Sequence, residues 1–228
     1  MIFLRCARVC TLAIVAGLVV VLVGCGTADA EAHFSVTKDG FSISNAPGYC
    51  FAMAVFSRWY YLTKPESPPL RSALARKTQE RIAGELQQYY SKHLIGVQAE
   101  YCNRYRDDQT ESFRRFIVGL MMGEPRLVLL MNKTRQGAVL HAVLAYQWLP
   151  DRNKLKIYDP NYSDEERFLD LNRREYTSLD ILYNAICFPE VLDDHESLVR
   201  KMENLYSRYV PAARADSEEK REARARPR

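Results

Sequence analysis

The hydrophobic periodicity of this 228-residue chain changes once, near Gly123-Glu124-Pro125, and that change sets the fold class. Before it, apolar residues recur at helical spacing, over residues 50–62, 70–94 and 111–121. After it, the chain carries apolar runs bounded by turn residues, as consecutive strands do, over residues 126–132, 138–149 and 154–159. Helices followed by antiparallel strands predict an α+β domain in which the helices pack on the sheet.

Shorter segments complete the prediction. Asp108 and Glu111 have the spacing of a capping box at the start of the third helix. We expect a short strand within residues 34–44, strands or a short helix at 167–171 and 177–188, and a last helix over 196–209. Residues 211–228 are charged and poor in apolar groups, so they are predicted to be disordered.

The N-terminus has the features of a targeting segment. Residues 1–8 are basic, and residues 9–23 are apolar but shorter than the ~20 residues of a spanning helix. The run ends in Leu22-Val23-Gly24-Cys25, which resembles a bacterial lipoprotein signal. The resemblance implies removal of residues 1–24, lipidation of Cys25 and, because Gly26 replaces the aspartate of inner-membrane retention, an outer membrane location facing the periplasm. An ordinary signal peptide is the alternative. The predicted organisation is then a tether over 25–36, one domain over 37–210 and the charged tail.

Charge and composition exclude several classes of protein. Residues 25–213 hold 24 basic and 24 acidic side chains, so a broad basic surface for nucleic acid is not expected. The apolar fraction of 47% is that of an ordinary globular protein rather than of a chain with many membrane spans. The predicted partners are a peptide or protein substrate and, through the lipid on Cys25, a bilayer.

Three cysteines remain once Cys25 is assigned to the lipid. Cys50 follows the turn residues Pro47-Gly48 and opens an apolar helix, whose N-terminal dipole favours a thiolate. A buried structural cysteine is the alternative. In an oxidising compartment Cys102 and Cys187 could be bridged. Two buried free thiols are favoured, because no framework of paired cysteines surrounds them.

His141 and Asp159 are polar residues in apolar strands. His141 lies inside the run from Ala138 to Leu144, where its ring needs a polar partner. Strand alternation places Asp159 on the apolar face of the next strand, with Leu155 and Ile157. A hairpin centred near Pro150 brings the two residues roughly level. The alternatives are a core histidine bonded to a carbonyl and a turn-forming aspartate.

Together these residues follow the order of nucleophile, base and orienting group in acyl transfer. Three segments resemble papain-like cysteine peptidases, in particular the bacterial branch related to double-glycine bacteriocin-processing peptidases. They are Asn45-Ala46-Pro47-Gly48-Tyr49-Cys50-Phe51-Ala52-Met53-Ala54, Gly137-Ala138-Val139-Leu140-His141-Ala142-Val143 and Ile157-Tyr158-Asp159-Pro160-Asn161-Tyr162. The resemblance implies a papain-like fold whose nucleophile helix packs on an antiparallel sheet.

Carried onto this sequence, the resemblance makes Cys50 the nucleophile, His141 the general base and acid, and Asp159 the orienting group, with Asn161 as an alternative orienter. The family usually has a glutamine shortly before the nucleophile as an oxyanion donor, and none occurs between residues 26 and 49. Asn45 has the same amide group and is the predicted substitute, beside the backbone N–H of Cys50. Its alternative role is that of a turn residue.

The predicted function is a membrane-anchored thiol hydrolase, a cysteine peptidase acting on a peptide or isopeptide bond. The same triad serves transglutaminase-type and deamidase-type acyl transfer, and a catalytically silent papain-like lipoprotein acting as a binding module is a further alternative. No cofactor or metal is predicted. The cysteines and histidines lack the spacing of zinc ligands, and the chain has no glycine-rich phosphate loop.

Overall fold

The computed structural model describes residues 34–104, 110–132 and 139–225; of Arg104, Val139 and residues 211–225 it describes the backbone alone. Six helices precede the strands: α1 Val36–Asp39, α2 Cys50–Thr63, α3 Leu70–Ala73, α4 Arg76–His93, α5 Ile95–Arg104 and α6 Thr110–Met121. The strands are β1 Arg126–Asn132, β2 Val139–Leu149, β3 Lys154–Tyr158, β4 Glu166–Asp170, β5 Tyr176–Ser178, β6 Ile181–Tyr183 and β7 Ala185–Cys187. Helices α7 Glu190–Asp193 and α8 Glu196–Ala225 follow.

The strands form a five-stranded sheet in the order β4-β3-β2-β1-β7, and every neighbouring pair is antiparallel. Strands β5 and β6 form a separate antiparallel hairpin. Helices pack on the sheet, so the predicted α+β class is confirmed. The central strand β2 carries His141, opposite Leu130 of β1.

Helix α2 is the most deeply buried helix of the described residues. Every side chain from Phe51 to Tyr60 is buried, because α4, α8 and the sheet surround the helix. This explains why its sequence is apolar on all sides rather than along one stripe. The first residue of this helix, Cys50, is thereby held against the sheet.

One buried charge, Arg58, fixes the far half of α2. Its guanidinium donates to the carbonyl oxygens of Pro125 and Asp193, at 2.8 and 2.6 Å, and pairs with the buried Asp193 carboxylate at 3.5 Å. Burial raises the pKa of Asp193, although the positive charges of Arg58 and Arg126 act to lower it. A buried charge is tolerated only when paired in this way, so the network sets α2 against the start of β1.

The strand expected within residues 34–44 is wrong. The segment contains the short helix α1, and its apolar residues Phe34, Phe41 and Ile43 are buried. No strand of the described sheet pairs with it. Its backbone instead bonds to side chains: Phe41 N donates to Tyr158 Oη and Ser42 N donates to Gln79 Oε1.

The single helix expected over 70–94 is also wrong, because the chain breaks between α3 and α4. Leu74 and Ala75 are extended, and Gln79 Nε2 donates to the freed carbonyl of Leu74 at 2.9 Å. At the other end of the chain, α8 continues past the expected end at Tyr209, through the segment predicted to be disordered, as far as Ala225. That segment is rich in Ala, Glu and Arg, which are good helix formers. The proposed cap Asp108 lies outside the described residues, as do residues 133–137, which connect the first two predicted strands.

The expectation of two free buried thiols at Cys102 and Cys187 is wrong. The two residues form a disulfide, with their Cα atoms 5.8 Å apart. Cys102 lies on α5, which packs against α7, and Cys187 ends β7 just before α7 begins. This long-range contact brings together two cysteines that have no local pattern in common.

Candidate active site

Cys50 lies at the first position of α2, after a tight turn. Gly48 N donates to the carbonyl oxygen of Asn45 at 2.7 Å, and Gly48 has a φ of +80°, a conformation that glycine adopts without a steric penalty. The turn directs the chain into the helix, so that Cys50 is half-buried at its N-terminus. Of the described cysteines, Cys50 alone is a free thiol.

His141 lies between Cys50 and Asp159. It is 2% exposed, its Nε2 lies 2.7 Å from Asp159 Oδ1, and its ring stacks on that of Tyr183 with centroids 5.6 Å apart. It also interacts with the Cys50 thiol: each group shifts the pKa of the other toward the charged form. Nε2 faces Asp159, so Nδ1 is the ring nitrogen left for Cys50. The structure therefore brings the three predicted triad residues together in the order expected.

The hairpin register differs from a simple level pairing. Leu144 pairs with Tyr158, which places Asp159 beyond the end of β3 and two positions away from the level of His141. A β-bulge between Ala145 and Gln147 shifts the register. The aspartate side chain reaches back to His141 across this offset.

Asp159 is fully buried and accepts four hydrogen bonds. Oδ1 receives His141 Nε2 and, at 2.9 Å, the backbone N–H of Asn161. Oδ2 receives Tyr176 Oη at 2.8 Å and Ser178 Oγ at 2.9 Å. Sequence reasoning missed Tyr176 and Ser178. Alternation along β5 places both on one face, but no local signal shows that this face meets Asp159.

The charges of the triad stabilise one another. Burial opposes ionisation of His141, but its bonds to Asp159 and Cys50 outweigh burial and raise its pKa to about 9. Burial acts to raise the pKa of Cys50. That pKa nevertheless lies below its ordinary value, because the contact with His141, the positive charge on its ring and the N–H groups of Ala142 and Phe51 all favour the thiolate. The pKa of Asp159 is lowered in the same way: burial is outweighed chiefly by His141. The charges of a thiolate and an imidazolium at these two positions thus favour each other.

Asn45 lies in the same cleft as Cys50, but its amide is partly engaged. Its Nδ2 donates to Asn161 Oδ1 at 2.6 Å, while its own Oδ1 is buried with no hydrogen bond partner. Asn161 Nδ2 donates to Ser178 Oγ and lies 3.4 Å from His141 Nε2. The shorter 2.7 Å contact makes Asp159, rather than Asn161, the main partner of His141.

A second amide, which sequence reasoning missed, faces the cleft from α4. Gln87 Oε1 accepts the backbone N–H of Ala52 at 3.1 Å, so the oxygen of this amide is fixed on the first turn of α2. Its Nε2 forms no hydrogen bond with another described residue, and the side chain lines the same cleft as Cys50. The sequence has no glutamine shortly before Cys50, but Gln87, on a different helix, brings a glutamine amide to the cleft that Cys50 lines. Nothing in the sequence of α4 distinguishes Gln87 from the other polar residues of this amphipathic helix.

The cleft has a volume of about 400 Å³, within the range of small-molecule sites. His141 is the one ionisable side chain besides Cys50 and two tyrosines among its described lining residues. Over the described ranges, no three His, Cys, Asp or Glu side chains gather as metal ligands. None of the helices described is both long and apolar enough to cross a membrane.

No protein-family model, no curated protein and no solved structure matches this chain.

Proposed function

We propose that this chain is a thiol hydrolase, a cysteine peptidase with a papain-like arrangement of nucleophile helix and sheet. One observation carries the proposal: His141 bonds to the buried Asp159 carboxylate, whose oxygens accept four hydrogen bonds, and it also interacts with the Cys50 thiol, which lines a cleft. A structural histidine needs one polar partner. Here the ring has a second partner, a thiol at a helix N-terminus.

The arrangement supports the two steps of acyl transfer. The Cys50 thiolate attacks the scissile carbonyl carbon, the C–S bond forms, and the carbonyl electron pair moves to oxygen. The proposed donors to that oxyanion are the backbone N–H of Cys50 and the amide of Gln87 or Asn45, both of which line the cleft. As the C–N bond breaks, the proton on His141 passes to the leaving amine. His141 then takes a proton from water, whose oxygen attacks the acyl group, and the C–S bond breaks to release the acid and the thiolate.

Location follows from the N-terminal signal. The proposal places the protein in the bacterial cell envelope, anchored through lipid on Cys25 to the outer membrane and facing the periplasm. The Cys102–Cys187 disulfide supports an oxidising compartment, where such bonds persist.

The test measures the reactivity of Cys50 toward iodoacetamide at pH 6.5, where only about one hundredth of an ordinary cysteine is ionised. We expect rapid labelling of Cys50 in the wild type and labelling roughly tenfold slower or more in His141→Ala. His93→Ala, which removes an exposed histidine, serves as the matched control. Hydrolysis is then followed by mass spectrometry on a mixed peptide pool, with Cys50→Ser as the blank. Equally slow labelling of the wild type and His141→Ala contradicts the proposal and favours a binding module.

A further inference from the structure

The hairpin β5–β6 forms one wall of the cleft and presents apolar side chains to it. Leu179, at the hairpin tip, lines the cleft although it is 58% exposed, and Ile181 follows it. Ile95, the first residue of α5, lines the cleft as well and is 45% exposed. Exposed apolar side chains gathered at one concave place mark a binding surface.

The backbone at Leu179 is strained, and folding alone does not account for a leucine there. Leu179 has a φ of 46° and Asp180 a φ of 62°, so the two form a tight hairpin turn in the left-handed region. Such turns favour Asn and Gly, and a bulky residue is an outlier. The side chain is too exposed to offset this through burial. Tyr162 Oη accepts the N–H of Leu179 at 3.1 Å and holds the turn in place.

Apart from the triad residues Cys50 and His141, the described lining of the cleft offers no charged group to pair with a charged side chain. No Asp, Glu, Lys or Arg is among its described lining residues, and Asp180 beside Leu179 does not line it. A charged substrate group would lose its hydration here without gaining a partner. An apolar group would be covered by Leu179, Ile181 and Ile95.

From these observations we infer that the substrate is a peptide with an uncharged apolar side chain next to the scissile carbonyl, and that Leu179 determines this specificity. The inference rests on the proposed function. The hairpin that carries Leu179 also supplies Tyr176 and Ser178 to Asp159, so substrate contact and triad geometry depend on one element.

The test uses peptidyl fluoromethyl ketones, which alkylate the nucleophile only after their side chains bind. Two series carry Leu, Gly, Asp or Lys, either at the residue bearing the reactive carbon or at the residue before it. Rates of Cys50 modification, as kinact/KI, are measured by intact mass for the wild type, Leu179→Asn and Leu182→Asn. Asparagine tolerates the left-handed turn, so Leu179→Asn is expected to fold. Leu182 is the matched control: it lies on the same hairpin, is 46% exposed and does not line the cleft.

We expect the Leu probe to react at least about tenfold faster than the Gly, Asp and Lys probes in the series that varies the residue bearing the reactive carbon. A preference confined to the other series contradicts the inference. That preference should disappear in Leu179→Asn and persist in Leu182→Asn, while iodoacetamide labels all three proteins alike. The inference is wrong if all probes react at equal rates, if the Gly probe is preferred, or if both variants lose the Leu preference equally. In each of these cases, His141-dependent labelling by iodoacetamide would still support the proposed function. Loss of His141-dependent labelling itself overturns both.

Discussion

At Cys50, burial and hydrogen bonding act on the thiol in opposite directions. Burial disfavours the thiolate, whereas His141 and two backbone N–H groups favour it, and the pKa is lowered on balance. The histidine keeps its proton because Asp159 is itself held ionised by donors from Asn161, Tyr176 and Ser178. The reactivity of one sulfur therefore depends on a carboxylate with which it shares no direct contact.

This coupling predicts different pH profiles for alkylation and for hydrolysis. Both should fall at acidic pH, as the thiolate is protonated through a pKa below that of an ordinary cysteine. Because the folded-state pKa of His141 is about 9, the imidazolium is present below that pH and lost above it. Hydrolysis needs its proton for the leaving amine and should decline above pH 9, whereas iodoacetamide alkylation should not. An alkylation midpoint near the ordinary cysteine value of about 8.5 contradicts the ion pair.

Asp159→Asn tests the buried end of the triad. Loss of the carboxylate removes the main group that raises the pKa of His141, so the alkaline limb of hydrolysis should move to lower pH. The hydrolytic rate should fall by about 10²–10⁴-fold, as when the orienting carboxylate of a triad is replaced by an amide. The readout is the pH–rate profile of peptide hydrolysis. Asp151→Asn, in the exposed turn before β3, is the control and should leave that profile unchanged.

At the scale of elements, the disulfide joins helix α5 to strand β7. Because 85 residues separate Cys102 from Cys187, the chain-entropy model assigns the bond about 4–5 kcal/mol of stability. The double variant Cys102→Ala/Cys187→Ala should lower the free energy of unfolding in urea by that order. The wild type in the presence of reductant should have the same free energy of unfolding as the double variant. Cys50→Ala should have nearly the same free energy of unfolding as the oxidised wild type. An unfolding midpoint that is the same in all proteins contradicts the prediction.

The elements also show how far local patterns determine this fold. Residues 126–132 were identified as a strand with the bounds of β1, because apolar β-favouring residues lie there between Pro125 and a turn. By contrast, the sequence predicts a short strand within 34–44, but this segment contains helix α1, and two of its N–H groups bond to the side chains of Tyr158 and Gln79. Local patterns indicate which residues are buried, but not which distant side chains replace a neighbouring strand.

The same limit applies to the candidate site. His141 and Asp159 stand out because each is a polar residue in an apolar strand, which requires a partner. Cys50 stands out because it follows a turn and opens an apolar helix. Tyr176, Ser178 and Gln87 carry no such mark, since each is ordinary in its own strand or helix. They reach the site through tertiary contacts alone.

At the scale of the whole molecule, Phe34, the first described residue, already belongs to the folded domain. Phe34 is 3% exposed and packs against the rings of Tyr61 and Tyr146, so the folded domain begins earlier than the tether boundary at 36 suggested. Nine residue steps separate Cys25 from Phe34. At about 3.3–3.6 Å per step they span at most about 30 Å. A lipid on Cys25 would thus keep the domain close to the bilayer surface.

Cys25→Ser tests that arrangement. The variant should lose incorporation of labelled fatty acid and move from the membrane fraction to the soluble periplasmic fraction of a Gram-negative host, because the thiol that accepts the lipid is gone. Cys50→Ser is the matched control: it removes a free thiol within the fold and should leave lipid labelling and fractionation unchanged. Iodoacetamide labelling of Cys50 in the released Cys25→Ser protein should equal that of the wild type, since Cys25 precedes the folded domain. A wild-type protein that is already soluble after export would show that the signal resembles a lipoprotein signal without acting as one.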